Sequence, residues 1–212
     1  MDEMNRLRHD VLSMGGRVEA DLGKALAALK TEDLELAAEV KANDAVVNAL
    51  QLKIDDEVAI LIATQQPVAR DLRELVSILR ITDNLERAGD HAVHLAKATK
   101  KLSGEAPFRQ LERLERMVET GQSMLRGAMA AYVGQDVEAA RRVAAQDDAI
   151  DEEHKALVEE ILGLMREKPE LVKRATKLIQ VSGFLERLGD HVTNICEAIV
   201  YLVEGHREEL NE

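Results

Sequence analysis

One cysteine, no tryptophan, two phenylalanines, two tyrosines and three prolines are all that this 212-residue chain holds of those residue types. A lone Cys196 cannot close an internal disulfide or build a cysteine zinc site, which points to a reducing cytosol. So few aromatic rings leave no platform on which nucleic-acid bases stack. Basic charge is also short: 28 Lys and Arg stand against 40 Asp and Glu, a formal charge of −12. Nucleic-acid affinity comes from Lys and Arg neutralising phosphates, so direct nucleic-acid binding is excluded. The start, "MDEMNRLRHD", lacks the apolar stretch of a signal peptide, and no apolar run nears the ~20 residues of a membrane span. The expectation is a cytoplasmic protein that meets a membrane only through partners.

What is abundant is Ala, Leu, Glu, Lys and Arg, with apolar residues recurring at three and four, as in Leu72, Val76, Leu79 and Leu178, Val181, Leu185. The pattern is all-α. Pro67, Pro107 and Pro169 fall where helices should break. Weaker breaks at "LKTEDL", "YVGQDV" and Gly205 leave six long helices, about 2–30, 33–65, 68–102, 108–133, 136–167 and 170–204. At 1.5 Å per residue, about 30 residues span about 45 Å.

The chain repeats itself. "LERAGDH" (85–91) returns as "LERLGDH" (185–191). A shift of 103 aligns 25–48 with 128–151 without gaps, and 9 of 24 positions match, Asp33/Asp136, Val40/Val143 and Asp44/Asp147 among them. The architecture is two tandem repeated three-helix bundles, 1–103 and 106–212.

Glu86 and Asp90 are four apart and share a helix face, as do Glu186 and Asp190. Such like-charged pairs repel by a few tenths of a kcal/mol each. The preceding helices carry Asp44 and Asn48 in one half, Asp147 and Asp151 in the other. Asn48 and Asp44 lie 19 and 23 residues before Pro67; Glu86 and Asp90 lie 19 and 23 after it. Around Pro169 the counts are 18 and 22 before, 17 and 21 after. In an antiparallel hairpin, equal distance from the turn means equal height. Each hairpin therefore gathers acids that a cation would neutralise, with helix axes 8–10 Å apart. Asp83 and His94 extend the first set. His91 recurs as His191, whereas His94 becomes Asn194. Gly89 and Gly189 each cost about 1 kcal/mol against Ala inside a helix, so a close neighbour is expected at both. Taken singly, an E-x-x-x-D pair is usually a solvated helix face, each histidine a packing residue, Arg87 and Arg187 partners of the acids, and Cys196 a small buried hydrophobe. The height match on both hairpins favours the cation sites.

Enzyme signatures are missing: G-x-x-x-x-G-K-[ST], G-x-S-x-G, H-E-x-x-H and the Glu-x-x-His of di-iron bundles do not occur. The expectation is a protein that is not an enzyme. The alternative kept beside it is a metal-dependent enzyme or metal-storage bundle.

The doubled E-R-x-G-D motif, "QQPVARDLR", "SMGGRVEADL" and "NICEAIVYLVEG" resemble the PhoU family of phosphate-uptake regulators over essentially the whole chain. The resemblance implies two three-helix bundles whose acidic motifs hold metal cations, including multinuclear clusters. Iron or zinc comes first, and carboxylates with a nearby imidazole also accept manganese or magnesium. It implies metal ligands at Asp44, Glu86 and Asp90 in one half and at Asp147, Asp151, Glu186 and Asp190 in the other; Asn48 fills the fourth position of the first site, with Asp83 and His94 placed to compensate. Asn48 departs from the acid expected there. It further implies a homodimer and a negative regulator linking the Pst phosphate transporter, through its ATPase subunit PstB, to a PhoR-type sensor histidine kinase.

Overall fold

The computed structural model describes residues 3–102 and 111–210. Pro107, the start of the helix expected at 108 and the expected boundary between the halves lie outside the described residues. Among the described residues seven helices run in order: α1 (Glu3–Thr31), α2 (Leu34–Gln65), α3 (Ala69–Leu102), α4 (Leu111–Gly134), α5 (Val137–Ala144), α6 (Asp147–Glu167) and α7 (Val172–Glu204), with a 3-10 turn at Pro169–Leu171. No strand occurs among the described residues.

The expected duplication is visible in the turns. Glu32 and Gln135, 103 positions apart, both adopt the left-handed conformation, with φ of 56° and 48°. The residues that follow, Asp33 and Asp136, both cap the next helix. Asp33 Oδ1 accepts from the backbone N–H of Glu35 and Leu36 at 2.9 Å, and Asp136 Oδ1 accepts from that of Ala139 at 2.9 Å. Each aspartate thus satisfies amides that a helix start leaves unpaired.

One expectation needs correction. The single helix read over 136–167 is two, α5 and α6, broken at Ala145 and Gln146. There the backbone tightens, with the Gln146 N–H donating to Val143 O at 3.0 Å, a three-residue rather than four-residue step. Ala and Gln are ordinary helix formers, so the break has no local sequence signature. It places Asp147 in the first turn of α6.

Helices α1, α2 and α3 pack as one bundle, and α4 to α7 as the other; the most extensive packing of all joins α3 to α7. Arg174 at the start of α7 donates to Leu102 O at the end of α3, and Arg73 at the start of α3 lies against Gly205 beyond the end of α7. The two helices are therefore antiparallel. Between them His91 and His191 stack at 5.4 Å, and His191 Nδ1 meets Asn84 Oδ1 at 3.0 Å. A single apolar cluster runs through both halves, from Leu7 and Val11 to Ile199 and Leu202. Burying each such large side chain contributes about 1.5–3 kcal/mol. Cys196 lies within that cluster, fully buried, as expected of a small hydrophobe. Helix α2 is unusual in carrying apolar residues on its outer side too: Leu52 and Ile60 are more than 60% exposed. No helix among the described residues is long and apolar enough to cross a membrane.

Candidate metal sites

On the first hairpin, α2 and α3 bring Asp44, Glu86 and Asp90 together. Burial raises the Asp44 pKa above its ordinary value, and the Asp90 charge raises it further. Glu86 is raised by burial first, then by Asp90, Asp44 and Asp83. Equal height therefore does bring these acids into one another's field: they repel in a partly desolvated place. Oδ1 of Asp44 and Oδ1 of Asn48 are buried with no hydrogen-bond partner, as is Nδ1 of His94. A buried acceptor left unpaired costs about 1–3 kcal/mol. A cation supplies what these atoms lack, and the first site fits one on that ground.

The other members stand further out. Asp83 is half exposed and takes a 3.1 Å hydrogen bond from Arg87 Nε, so Arg87 holds Asp83 rather than the inner pair. His94 stacks on Phe184 of α7 at 4.4 Å, which ties the first site to the second half. Asp55, which sequence reasoning passed over, has its pKa raised by burial and then by Asp83, and extends the acidic rail toward the turn.

On the second hairpin the glycine has a defined role. A Cβ on Gly189 would overlap Asp147 Oδ1 and stand 3.0 Å from its Cγ. Asp147 is only 5% exposed, lodged in the space that the absent side chain leaves. Gly89 plays no such part, since a Cβ there would meet Val18 and Val47 at 3.6 Å, ordinary contact. The expectation that both glycines are crowded holds for Gly189 alone. Glu186 has its pKa raised by burial, then by Asp190 and Asp151, with His154 and Arg187 pulling against them. Asp151 faces Lys155 loosely at 3.9 Å on the surface.

The acids share height, but their donor atoms are not yet gathered. Among the described residues, the set of three with ligand atoms within 4.8 Å of one another is Glu204, His206 and Glu208. That exposed set already holds a cation, since Arg141 reaches Glu204 at 3.1 Å and Glu208 at 2.7 Å. Placing three donors of either hairpin on one ion therefore requires rotamer changes, which the exposed Asp90 and Asp190 can make.

His154 lies on the second hairpin, outside the metal residues read from the sequence. Its signal was present: it lies 15 residues before Pro169, and Gly183 lies 14 after, so the turn count that matched the acids also matches these two. The ring occupies the space beside Gly183, 3.9 Å from where a Cβ would stand.

Together these features define a class: duplicated, antiparallel helical hairpins, each presenting partly buried carboxylates with a nearby imidazole. The PhoU domain family matches residues 11–99 and 114–199, one copy per half. The chain belongs to the PhoU family. It is 35% identical over 211 residues to a phosphate-specific transport system accessory protein PhoU homolog of Clostridium acetobutylicum, covering 99% of this chain and 96% of that one. It is 37% identical over 210 residues to the homolog of Caulobacter vibrioides, covering 99% and 90%. The crystal structure of PhoU from Pseudomonas aeruginosa superposes with a TM-score of 0.91 at 35% identity, over 96% of this chain and 98% of the other. The phosphate transport system regulatory protein PhoU from Streptococcus pneumoniae gives 0.91 at 34%, over 97% of each. The family is one of accessory and regulatory proteins, not of enzymes.

Proposed function

We propose that this protein is a metal-binding negative regulator of phosphate uptake and phosphate-regulon signalling. It works in the cytoplasm as a homodimer, between the Pst phosphate transporter, through its ATPase subunit PstB, and a PhoR-type sensor histidine kinase. The observation that carries this reading is the match, over nearly the whole length, to relatives named as accessory proteins of phosphate transport. The all-helical, phosphate-loop-free architecture supports a role in binding rather than turnover. A charge of −12 supports docking on basic partner faces, where complementary potential sets encounter rate and register.

Asp44, Asn48, Glu86, Asp90 and His94, with Asp83 at the edge, would hold metal on the first hairpin, and Asp147, Asp151, Glu186 and Asp190 on the second. A bound cation neutralises clustered carboxylates and fixes the height at which paired helices lock. Iron or zinc is the metal proposed first, on the family resemblance; the donors themselves accept manganese or magnesium as well.

The reading is tested in cells. Deleting the gene should switch on phosphate-starvation genes in phosphate-rich medium, and only while the sensor kinase is present. Derepression that persists without the kinase, or repression that stays normal in the deletion strain, contradicts it. Light scattering of the purified protein should give the mass of a dimer, and a monomer at micromolar concentration would remove that part.

A further inference from the structure

His154 sits on α6, three residues after Asp151, and its ring nitrogens are not equivalent. Nδ1 lies 2.9 Å from Oγ of Ser182 on α7. Ser182 is fully buried, and a hydroxyl has one proton to give. That proton goes to the carbonyl of Ile179 at 3.0 Å. Toward the imidazole, Ser182 Oγ is therefore the acceptor, and Nδ1 carries the ring hydrogen. A neutral imidazole has one N–H, so Nε2 keeps its lone pair. Metal-ligating histidines are held in this way, with one nitrogen tied to a hydrogen-bond partner and the other left to the ion. The ring stands in ordinary contact with Gly183, 3.9 Å from where a Cβ would be, and the first half has Asp83 at the matching place. The first half also has Gln51 where the second has His154, and takes its imidazole from His94 on the opposite helix of the hairpin.

We propose that His154 Nε2 is a ligand of the second hairpin's cation site, beside Asp151 and Glu186, and that it biases this site toward zinc or ferrous iron over magnesium. The inference rests on reading that hairpin as a metal site. Imidazole nitrogen suits zinc and iron, whereas magnesium is held by carboxylates, carbonyls and water. An all-carboxylate set would lack that preference. The two halves thus use different donor sets despite their shared ancestry, and His154 is the residue that sets the second apart.

The test uses full-length protein stripped with a chelator and titrated with zinc alone and with magnesium alone. His154→Gln should weaken zinc binding by about tenfold or more and leave magnesium binding unchanged. Ser182→Ala, which unlocks the tautomer without removing the ring, should weaken zinc by about tenfold. Pulsed electron paramagnetic resonance of bound Mn(II) gives a direct readout. In His94→Gln protein the nitrogen coupling should remain, and in the His94→Gln/His154→Gln double variant it should vanish. Helical circular dichroism checks that each variant folds. Should His154→Gln not fold, Ser182→Ala and the coupling in His94→Gln protein decide the matter. Zinc binding untouched by His154→Gln, a coupling absent from His94→Gln protein, or one that persists in the double variant overturns the inference alone. Wild-type protein that takes up none of these ions overturns the metal reading with it.

Discussion

At the scale of the residue, the two repeated glycines separate ancestry from need. Gly189 lies where a methyl group would occupy the space of the Asp147 carboxylate, while Gly89 borders only valine methyls at 3.6 Å. Gly189→Ala should displace Asp147 and destabilise the fold, as overpacking does, by about 1–3 kcal/mol. Gly89→Ala should be neutral or stabilise by up to about 1 kcal/mol through helix propensity. Urea unfolding of both variants checks this, and equal costs would contradict it. His91 gives a second prediction. Burial first, then the neighbouring His191, His94 and Arg187, lowers its pKa from 6.5 to about 4. Between those values the unfolded chain binds a proton that the folded chain refuses. Stability is therefore fully present above the unfolded pKa and is lost as pH falls toward 4, by about 3 kcal/mol in all. The raised carboxyls of Asp44, Glu86 and Glu186 act with the opposite sign over their own range, so the comparison must be with His91→Gln in chelator-stripped protein. That variant should show a flatter loss of stability between pH 7 and 4, and an unchanged slope counts against the assignment.

At the scale of the element, the hairpin is the unit that brings the acids to one height. All four height-matched positions of α6 and α7 are acids, and α2 contributes Asn48 where a fourth acid would stand. Asp147→Ala with Glu186→Ala should therefore remove more metal than Asp44→Ala with Glu86→Ala, measured as metal content of the purified protein. Equal losses would defeat the ranking. Much of this was legible in the sequence because helices convert spacing into height: Pro67 and Pro169 marked the turns, and counting outward from them placed the acids. The Asp33 and Asp136 caps were visible as repeated residues, though not as caps. The break before α6 was not legible, because Ala145 and Gln146 carry no turn chemistry. His154 was not read as a ligand, for a different reason. A histidine three residues from an aspartate means little until a buried serine on the next helix fixes its tautomer, and that serine is 28 residues away.

At the scale of the whole molecule, two sequence repeats do not make two independent bodies. The antiparallel α3–α7 contact is the most extensive in the structure, and one apolar cluster crosses it. Unfolding of the whole chain should be a single transition, with helical circular dichroism and a probe placed in either half giving coincident midpoints. Two separated transitions would show the halves to be autonomous. The outer side of α2, with Leu52 and Ile60 bare to solvent, has a consequence for the protein as a colloid. At low ionic strength a charge of −12 keeps molecules apart. Salt shortens the reach of that repulsion to about 10 Å at 0.1 M and about 3 Å at 1 M, while leaving apolar attraction in place. The second virial coefficient, measured by static light scattering across a salt series, should therefore fall from positive toward negative, and replacing Leu52 and Ile60 with Gln should hold it positive.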